Sequence, residues 1–357
     1  MIESSRRYHW VDALRGVAAL SIVVFHYHHF YLADAFDRPS IPPVSEFPYA
    51  SVIGFLYSSF SANAVELFWL ISGFVFSHVY LYRSTPAWQF GVARFARLYP
   101  VHFATLIYVA ALQVFSINML GHWQIYGNND VRHFTLQLFM SSNWTNLSRG
   151  LSYNGPIWSV SLEIFVYAIF FVCLPALRRH KLFASLALLI FSWAMAYYNF
   201  ADIPALNRQV FECAGYFFLG VFLYRASPGH SGLNSIIVTI MGLIVLILGL
   251  FFGLEDLAVS GLSASIVAVA ARLDYIFPTA GFSLSVLGNI SYSIYLVHVP
   301  IQMTALVIAD LFFDGDRDFA SSYFTLPVYL GASIALALVV HRKYEQPMGF
   351  LIRKRFS

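Results

Sequence analysis

Ten long apolar segments constrain the fold of this sequence more than any other feature. They cover residues 11–33, 52–82, 98–118, 157–177, 182–200, 209–225, 234–254, 257–271, 287–312 and 322–341. A helix needs about 20 apolar residues to cross a hydrocarbon core ~30 Å thick. The segment at 257–271 is short and rich in Gly and Ser, so a broken or tilted span is the alternative there. The sequence therefore predicts an all-α, polytopic membrane helix bundle with about ten transmembrane helices.

The amino-acid composition supports a membrane protein and argues against two other classes. Lys, Arg, Asp and Glu make up 11% of the 357 residues, against roughly 25% in an average soluble domain. An aromatic share of 18% is unlike a disordered chain and suits membrane interfaces, where Trp and Tyr collect. The net charge of +3 is too small to indicate nucleic acid as a partner. Two cysteines without metal-ligand spacing predict no disulfide framework and no metal site.

The basic residues between the apolar segments predict the orientation of the bundle. Short cytoplasmic loops are enriched in Lys and Arg, so we place both termini in the cytoplasm and let the ten spans alternate. The cytoplasmic side then holds Arg6, Arg7, Arg83, Arg94, Arg97, Arg178, Arg179, Lys181, Arg225, Arg272, Arg342, Lys343, Arg353, Lys354 and Arg355. The outer side holds only Arg38, Arg132, Arg149, Arg208 and Arg317. We expect a single domain over 1–357, with no appended soluble domain.

Ionisable side chains inside the apolar segments are the candidates for function, because each costs ~2.5–3.5 kcal/mol to insert at mid-membrane. They are Asp12, Arg15, His26, His28, His29, Glu66, His102, Glu163, Glu212, His298 and Asp310. Such residues usually face a water-filled cavity or another polar group. Charge is scarce in this chain, so these few positions are informative.

Arg15 and His26 are predicted to share one face of the first segment. Eleven steps of ~100° return to within about 20° of the same face, and the rise is roughly 16 Å. One stripe then carries a guanidinium near the cytoplasm and an imidazole about half a bilayer further out. An imidazole titrates near neutrality and can accept a proton from a hydroxyl group. The alternative is a snorkelling arginine and a histidine-rich outer interface.

Arg94 and Arg97 lie three residues apart, so they share one helix face. Planar guanidinium groups suit phosphate, although the positive-inside rule alone also explains two bases here. Glu163 follows the turn at 154–156 by about two helical turns. Its carboxylate either orients an imidazole or binds an acceptor hydroxyl, or it is hydrogen-bonded within the bundle.

Three residues of span two, the segment at 52–82, are interpreted in two different ways. Ser72 and Gly73 are small, and we interpret both as residues that permit close helix packing. Glu66 lies in the outer half of the same segment. Packing does not explain this carboxyl group, so it stays a functional candidate.

Span nine carries one polar face on an otherwise apolar helix. Ser291, Tyr295 and His298 follow one another at the spacing i, i+4 and i+7, which places them on the same side of a helix. A single histidine in that setting is more often structural than catalytic.

Together these segments resemble the acyltransferase-3 family of integral membrane acyltransferases, of the bacterial O-antigen and exopolysaccharide O-acetylase type. The similarity covers about 11–345, and the motifs follow the family's order. They are Asp12 to Gly16 followed by His26, Phe68 to Phe74, Arg94 to Pro100, Trp158 to Glu163, and Ser291 to Pro300. The chain departs from the family pattern at Ile164, where a second acid is common, at Glu66 and at Trp69.

The resemblance implies roles for ten residues. Those implied for binding the donor phosphates are Arg15, Arg94 and Arg97. Those implied for catalysis are His26, as general base or acyl carrier, Glu163 and Glu66. Those implied for acceptor contact or structure are Trp158, Ser159, Tyr295 and His298.

The resemblance also implies the reaction and its setting. An acyl group, taken to be acetyl, would pass from acyl-CoA at the cytoplasmic face to a hydroxyl group of a lipid-linked or surface glycan, such as lipopolysaccharide. No cofactor is bound, since acyl-CoA is a substrate. We expect a multi-pass protein of the bacterial inner membrane, surrounded by membrane lipid.

Two other functional classes remain open at this point. A secondary transporter of a small polar solute also carries midplane charges, but it predicts an internal repeat, and we find none in the sequence. A non-catalytic membrane scaffold would tolerate neutral replacements at Arg15, His26, Arg94 and Arg97.

Overall fold

The protein is all-α, as predicted, in the part that a computed structural model describes, residues 7–36, 41–146, 150–198, 206–227 and 233–356. Within these ranges, eleven helices have eight residues or more. They are α1 (His9–Phe25), α2 (Ala64–Tyr80), α3 (Ala87–Met119), α4 (Val131–Leu138), α5 (Ile157–Tyr197), α6 (Arg208–Ala226), α7 (Leu233–Phe252), α8 (Glu255–Ile276), α9 (Ser285–Phe312), α10 (Thr325–Val340) and α11 (Gln346–Phe356). A 3-10 turn, His26–Tyr31, continues α1, and a π-helical turn, His341–Glu345, joins α10 to α11.

Seven stretches of the described chain are long and apolar enough to cross a membrane. They are His9–Tyr31, Ala87–Met119, Ile157–Tyr197, Leu233–Phe252, Glu255–Ile276, Ser285–Phe312 and Thr325–Phe356. The chain is therefore a polytopic helical membrane protein. The orientation of the termini stays a prediction, and Arg6, Arg38 and Arg149, on which it partly depends, lie outside the described residues.

The predicted number of about ten spans differs from these seven for three reasons. The segments at 157–177 and 182–200 both lie within α5, which consists of two helices joined at a kink at Lys181, where φ is +42° and the backbone is not helical. Helix α2 has only 17 residues. Helix α6 has 19 residues, but Arg208 and Arg225 lie near its two ends and shorten its apolar stretch. By contrast, the doubtful segment at 257–271 lies within α8, a continuous helix of 22 residues.

Helix α5 is too long to be one simple span. As one straight helix, its 41 residues would rise roughly 60 Å at 1.5 Å each, about twice the thickness of a hydrocarbon core. The bend at Lys181 divides it at the cluster of bases that the sequence places between two segments. The non-helical backbone at Lys181 separates two helices that follow each other directly, so the sequence separates these two segments correctly.

The core of the bundle is built from helix pairs. Helix α1 packs along α9, α2 packs along α6, α5 also contacts α6, and α7 pairs with α8. A Cβ atom at Gly73 in α2 would collide with the backbone carbonyl of Phe217 in α6. Glycine is therefore required at this crossing, and the packing role predicted for Gly73 is confirmed.

Helix α4 lies between two spans and begins at a charged cap. The carboxylate of Asp130 accepts a hydrogen bond from the backbone N–H of His133 at 2.8 Å, and Nδ1 of the same histidine lies 2.9 Å from it. An acidic cap satisfies a free N–H group and interacts favourably with the helix dipole. The backbone hydrogen bond from His133 lowers the pKa of Asp130, which is exposed.

Candidate active site

A cavity of about 140 Å³ lies among helices α1, α2, α3, α5 and α9. Its wall is largely apolar, but ten charged or hydroxyl-bearing side chains also line it. They are Arg15, Ser72, Arg94, Arg97, Ser159, Glu163, Tyr167, Ser291, Tyr292 and Tyr295. Convergent polar groups in an apolar cavity are typical of a ligand site, and inside a membrane they are costly enough to require an explanation.

Arg15 is held between α1 and α9. Its Nε donates to Oγ of Ser291 at 3.0 Å, and its Nη2 donates to the backbone carbonyl of Gly288 at 2.5 Å. A carboxylate oxygen of Asp12, one turn earlier, lies 3.7 Å from Nη1. The guanidinium group is therefore fixed in position and partly neutralised while it lines the cavity.

Arg97 is paired with an acid that the sequence analysis did not include. Its Nη1 forms an ion pair with Oε1 of Glu345, and its Nη2 makes a long contact of 3.4 Å with the backbone carbonyl of Asn289. The guanidinium also lies 5.8 Å from the ring centroid of Tyr292. Arg97 thus lines the cavity with its charge already compensated.

Arg94 differs from the other two arginines because it has no acidic partner among the described residues. Its Nε is buried and has no hydrogen-bond partner there. The guanidinium carbon lies 4.8 Å from the ring centroid of Phe76 and 5.7 Å from that of Tyr80. A buried donor without a partner costs about 1–3 kcal/mol. Arg94 is therefore the guanidinium group best prepared to bind an anionic ligand.

Glu163 is hydrogen-bonded on both of its oxygens. Ser72 donates to Oε1 at 3.0 Å, and the hydroxyl of Tyr167 donates to Oε2 at 2.6 Å. The positive charges of Arg15 and Arg94 also act on this carboxyl group. The interpretation of Ser72 as a packing residue is wrong, because its hydroxyl binds Glu163 and lines the cavity.

Ser159 and Tyr295 join α5 to α9 at the cavity wall. The Oγ of Ser159 and the hydroxyl of Tyr295 are 2.8 Å apart, and that hydroxyl donates to the backbone carbonyl of Pro156 at 2.9 Å. Trp158, their neighbour, does not line the cavity. It packs edge-on against Trp69, with ring centroids 5.8 Å apart.

His26 lies outside this cavity, at the start of the 3-10 turn that continues α1. Its Nδ1 contacts the backbone carbonyl of Ile22 at 2.9 Å. A carbonyl only accepts hydrogen bonds, so Nδ1 carries the proton and Nε2 holds the free lone pair. This tautomer leaves Nε2 able to act as a base, and Nε2 has no hydrogen-bond partner among the residues that the structure describes.

His298 connects His26 to the cavity. The ring of His298 lies 5.0 Å from that of His26 and 5.9 Å from that of Tyr295, which lines the cavity. Both ring nitrogens of His298 are buried without a hydrogen-bond partner in the described part of the chain. The ring of His29 also lies 5.0 Å from that of His26. No group of His, Cys, Asp and Glu among the described residues is arranged to hold a metal ion.

Glu66 is not brought to the cavity. It lies in the first turn of α2, and its neighbour Val65 lines the cavity instead. Its Oε2 is buried and has no hydrogen-bond partner among the described residues. The negative charges of Glu212 and Asp256 act on it from α6 and α8.

The cavity therefore unites six of the ten residues that the sequence singles out. The six are Arg15, Arg94, Arg97, Ser159, Glu163 and Tyr295. The four that lie elsewhere are His26, Glu66, Trp158 and His298. Sequence reasoning missed Tyr167, although its i+4 spacing from Glu163 was a visible signal. No spacing rule connects Glu345 to Arg97.

Comparison with known proteins identifies the family of this chain. The acyltransferase domain family, Acyl_transf_3, matches residues 8–342. "Protein 2 in picA locus" of Rhizobium radiobacter is similar, with 32% identity over 178 residues that make up 46% of this chain and 81% of that protein. No solved structure matches the chain. Because the family match covers nearly the whole sequence, the chain belongs to the acyltransferase-3 family of membrane acyltransferases.

Proposed function

We propose that this protein transfers an acyl group, taken to be acetyl, from acyl-CoA to a hydroxyl group of an extracytoplasmic glycan or glycolipid. The donor binds from the cytoplasmic side of the bacterial inner membrane. The acceptor is a lipid-linked or surface sugar at the outer side. Acyl-CoA is consumed as a substrate, so no resident cofactor takes part.

The observation that carries the proposal is the set of three guanidinium groups around one cavity, of which Arg94 has no hydrogen-bond or acidic partner among the described residues. Arg15 and Arg97 are already compensated by Asp12 and Glu345. The phosphates of CoA are multiply charged anions, and arginine binds phosphate through two parallel N–H groups. The low dielectric of a membrane-embedded cavity strengthens such a contact. Arg94 thus supports the binding of a phosphorylated donor.

The transfer step uses His26 as general base. Nε2 of His26 takes the proton from the acceptor hydroxyl while the hydroxyl oxygen attacks the carbonyl carbon of the thioester. The C–O bond of the new ester forms and the C–S bond breaks. The CoA thiolate then takes the proton from the imidazolium, so both atoms and charge balance. The contact of Nδ1 with Ile22 supports the required tautomer.

We assign the two carboxylates to different substrates. Glu163 lies with the donor, where it accepts hydrogen bonds from Ser72 and Tyr167 and lies within the electrostatic influence of Arg15 and Arg94. Glu66 lies away from the donor cavity, and its buried Oε2 has no partner among the described residues. We therefore propose that Glu66 contacts the acceptor.

The first experiment measures acetyl transfer from labelled acetyl-CoA by the purified protein in lipid nanodiscs. His26→Ala should abolish transfer while binding of CoA is retained, because His26 lies outside the cavity. His28→Ala is the matched control, since the Nδ1 of His28 is likewise in contact with a helix-end carbonyl, that of Phe25. Full activity of His26→Ala, or an equal loss in both variants, would refute the assignment of the base.

The second experiment identifies the acceptor and the acyl group. Mass spectrometry of cell-surface glycans, with and without the gene, should show a difference of one acetyl unit per modified sugar. A panel of acyl-CoA donors tests chain length with the same protein. Solute uptake into proteoliposomes without any CoA ester would favour a transporter instead.

A further inference from the structure

The C-terminal segment 341–356 packs against the helix that carries Arg94 and Arg97. It consists of the π-helical turn His341–Glu345 and helix α11, and both contact α3. The family match ends at residue 342, so most of this segment lies beyond it. Single π-helical turns occur frequently at functional sites, which directs attention to the side chains of this one.

Glu345 lies at the centre of a buried polar network. Only 3% of Glu345 is exposed to solvent. Its Oε2 accepts hydrogen bonds from Oγ of Ser293 at 2.5 Å and from Nδ1 of His341 at 3.0 Å. Its Oε1 forms the ion pair with Arg97. A buried carboxylate is tolerated only when charges and hydrogen bonds compensate its desolvation. The network thereby ties α3, α9 and the π-helical turn together.

Helix α11 contacts α3 closely at two further points, both on the same side of this network. A Cβ atom at Gly349 would lie 2.8 Å from the backbone carbonyl oxygen of Ala96, the residue before Arg97. At the other end of the contact, Nε1 of Trp88 donates to the backbone carbonyl of Phe356 at 2.6 Å. The backbone that carries Arg97 is therefore braced directly by the C-terminal helix.

We propose that Glu345 is a positioning residue of the acyl-donor site, which holds the guanidinium group of Arg97 in the orientation that binds donor phosphate. This inference rests on the proposed function. Glu345 does not line the cavity, so it acts through Arg97. Glu345 forms its ion pair with Nη1 of Arg97, and Nη2 of Arg97 makes only a 3.4 Å contact with the backbone carbonyl of Asn289. The remaining N–H groups of Arg97 are left for the donor.

The physical basis is preorganisation of a flexible side chain. An arginine without a fixed partner loses considerable rotamer freedom when it binds a ligand, and a site that is ordered beforehand avoids this cost. Loss of the Glu345 charge frees Arg97, so we expect roughly tenfold weaker binding of a phosphorylated donor. A donor without phosphate groups makes no contact with Arg97 and should not be affected.

The test compares the wild-type protein with Glu345→Gln, using acetyl-CoA and S-acetylpantetheine, which lacks the phosphates and the nucleotide. We expect the KM for acetyl-CoA to rise roughly tenfold, while kcat and the KM for S-acetylpantetheine stay unchanged. A merely structural role would change the KM values for both donors alike. Equal KM increases for the two donors, or no increase for either, would overturn the inference.

A double-mutant cycle shows whether Glu345 acts through Arg97. Arg97→Gln should raise the KM for acetyl-CoA, and adding Glu345→Gln should raise it no further. Additive increases would contradict the positioning role. If Glu345→Gln does not fold, Glu345→Asp keeps the charge on a shorter side chain and should give an intermediate increase with acetyl-CoA alone, whereas an equal effect on both donors would again overturn the inference.

Binding of labelled CoA separates this inference from the proposed function. A wild-type protein that transfers no acetyl group to any hydroxyl would contradict the proposed function. The positioning role is then judged by CoA affinity, which Glu345→Gln should lower roughly tenfold. Unchanged CoA affinity in that variant would refute the positioning role even if acetyl transfer is confirmed.

Discussion

Arg94→Gln should weaken donor binding without destabilising the protein. Arg94 has neither an ion pair nor a hydrogen bond among the described residues, so its replacement leaves no buried carboxylate without a partner. Its close contacts are the rings of Phe76 and Tyr80. Arg97, only three residues away, is instead paired with the buried Glu345. The two arginines should therefore respond differently to the same substitution.

The magnitudes follow from these contacts. Loss of the two cation–π contacts costs about 0.5–1 kcal/mol each, and removal of a buried, unpartnered donor returns about 1–3 kcal/mol. Because these terms oppose each other, the free energy of unfolding of Arg94→Gln should lie between about 1 kcal/mol below and about 2 kcal/mol above that of the wild type. Hydrogen bonds to a charged group contribute about 1.5–3 kcal/mol, which corresponds to roughly 10- to 150-fold weaker donor binding.

Arg97→Gln provides the contrast, because it leaves the carboxylate of Glu345 buried without its cation. Breaking one partner of a buried ion pair typically costs about 3–5 kcal/mol. Thermal unfolding in nanodiscs, with and without CoA, measures both effects in one assay. Arg179→Gln is the control, since Arg179 is exposed and does not line the cavity. Wild-type CoA affinity in Arg94→Gln, or a stability loss as large as that of Arg97→Gln, would refute the reasoning.

Three further predictions concern packing, hydrogen bonding and pH. Gly73→Leu should destabilise the bundle by about 1–3 kcal/mol in thermal unfolding, because its side chain meets a backbone carbonyl of α6. Gly73→Ala should destabilise the bundle less. A Gly73→Leu variant as stable as the wild type would contradict the close contact. Tyr167→Phe removes the 2.6 Å hydrogen bond to Glu163 and should lower the unfolding free energy by about 1.5–3 kcal/mol. The pKa of Asp130 is lowered by the backbone N–H of His133, so its cap stabilises α4 above the unfolded-state pKa and is lost as pH falls through the folded-state value. The amide protection factors of 131–138, which correct for the intrinsic pH dependence of exchange, should fall at acid pH in the wild type but not in Asp130→Asn.

A series of three aromatic side chains connects the cavity to His26. Tyr295 lines the cavity, and the rings of His298 and His26 follow it at 5.9 and 5.0 Å. Under the proposed function, the thioester has to reach Nε2 of His26 past these two side chains. The hydrogen bond between Tyr295 and Ser159 therefore lies directly along the expected route.

Several features of the site could be predicted because they depend on local spacing. Arg94 and Arg97 line one cavity, as expected for residues three positions apart on one helix. The polar face of span nine supplies Ser291 and Tyr295 to the same cavity. Helical periodicity fixes which side chains share a face, and it requires no knowledge of neighbouring helices.

Other features could not be predicted because they depend on which helices meet. Ser72 is a small residue next to Gly73, and small residues favour packing. Gly73 meets the backbone of α6, whereas Ser72 donates to Glu163. The partner of Arg97 is Glu345, almost at the other end of the chain. Neither contact follows from spacing along the sequence.

Apolar segments and scarce charge are sufficient to identify an all-α membrane protein and the few charged residues that require an explanation. Insertion into a bilayer depends on the apolar content of each segment, which is a local property. The compensation of those charges follows from the fold: Arg15 and Arg97 are paired, and Arg94 has no acidic partner in the described chain. Compensation depends on distances between helices, and these distances are set by packing rather than by composition.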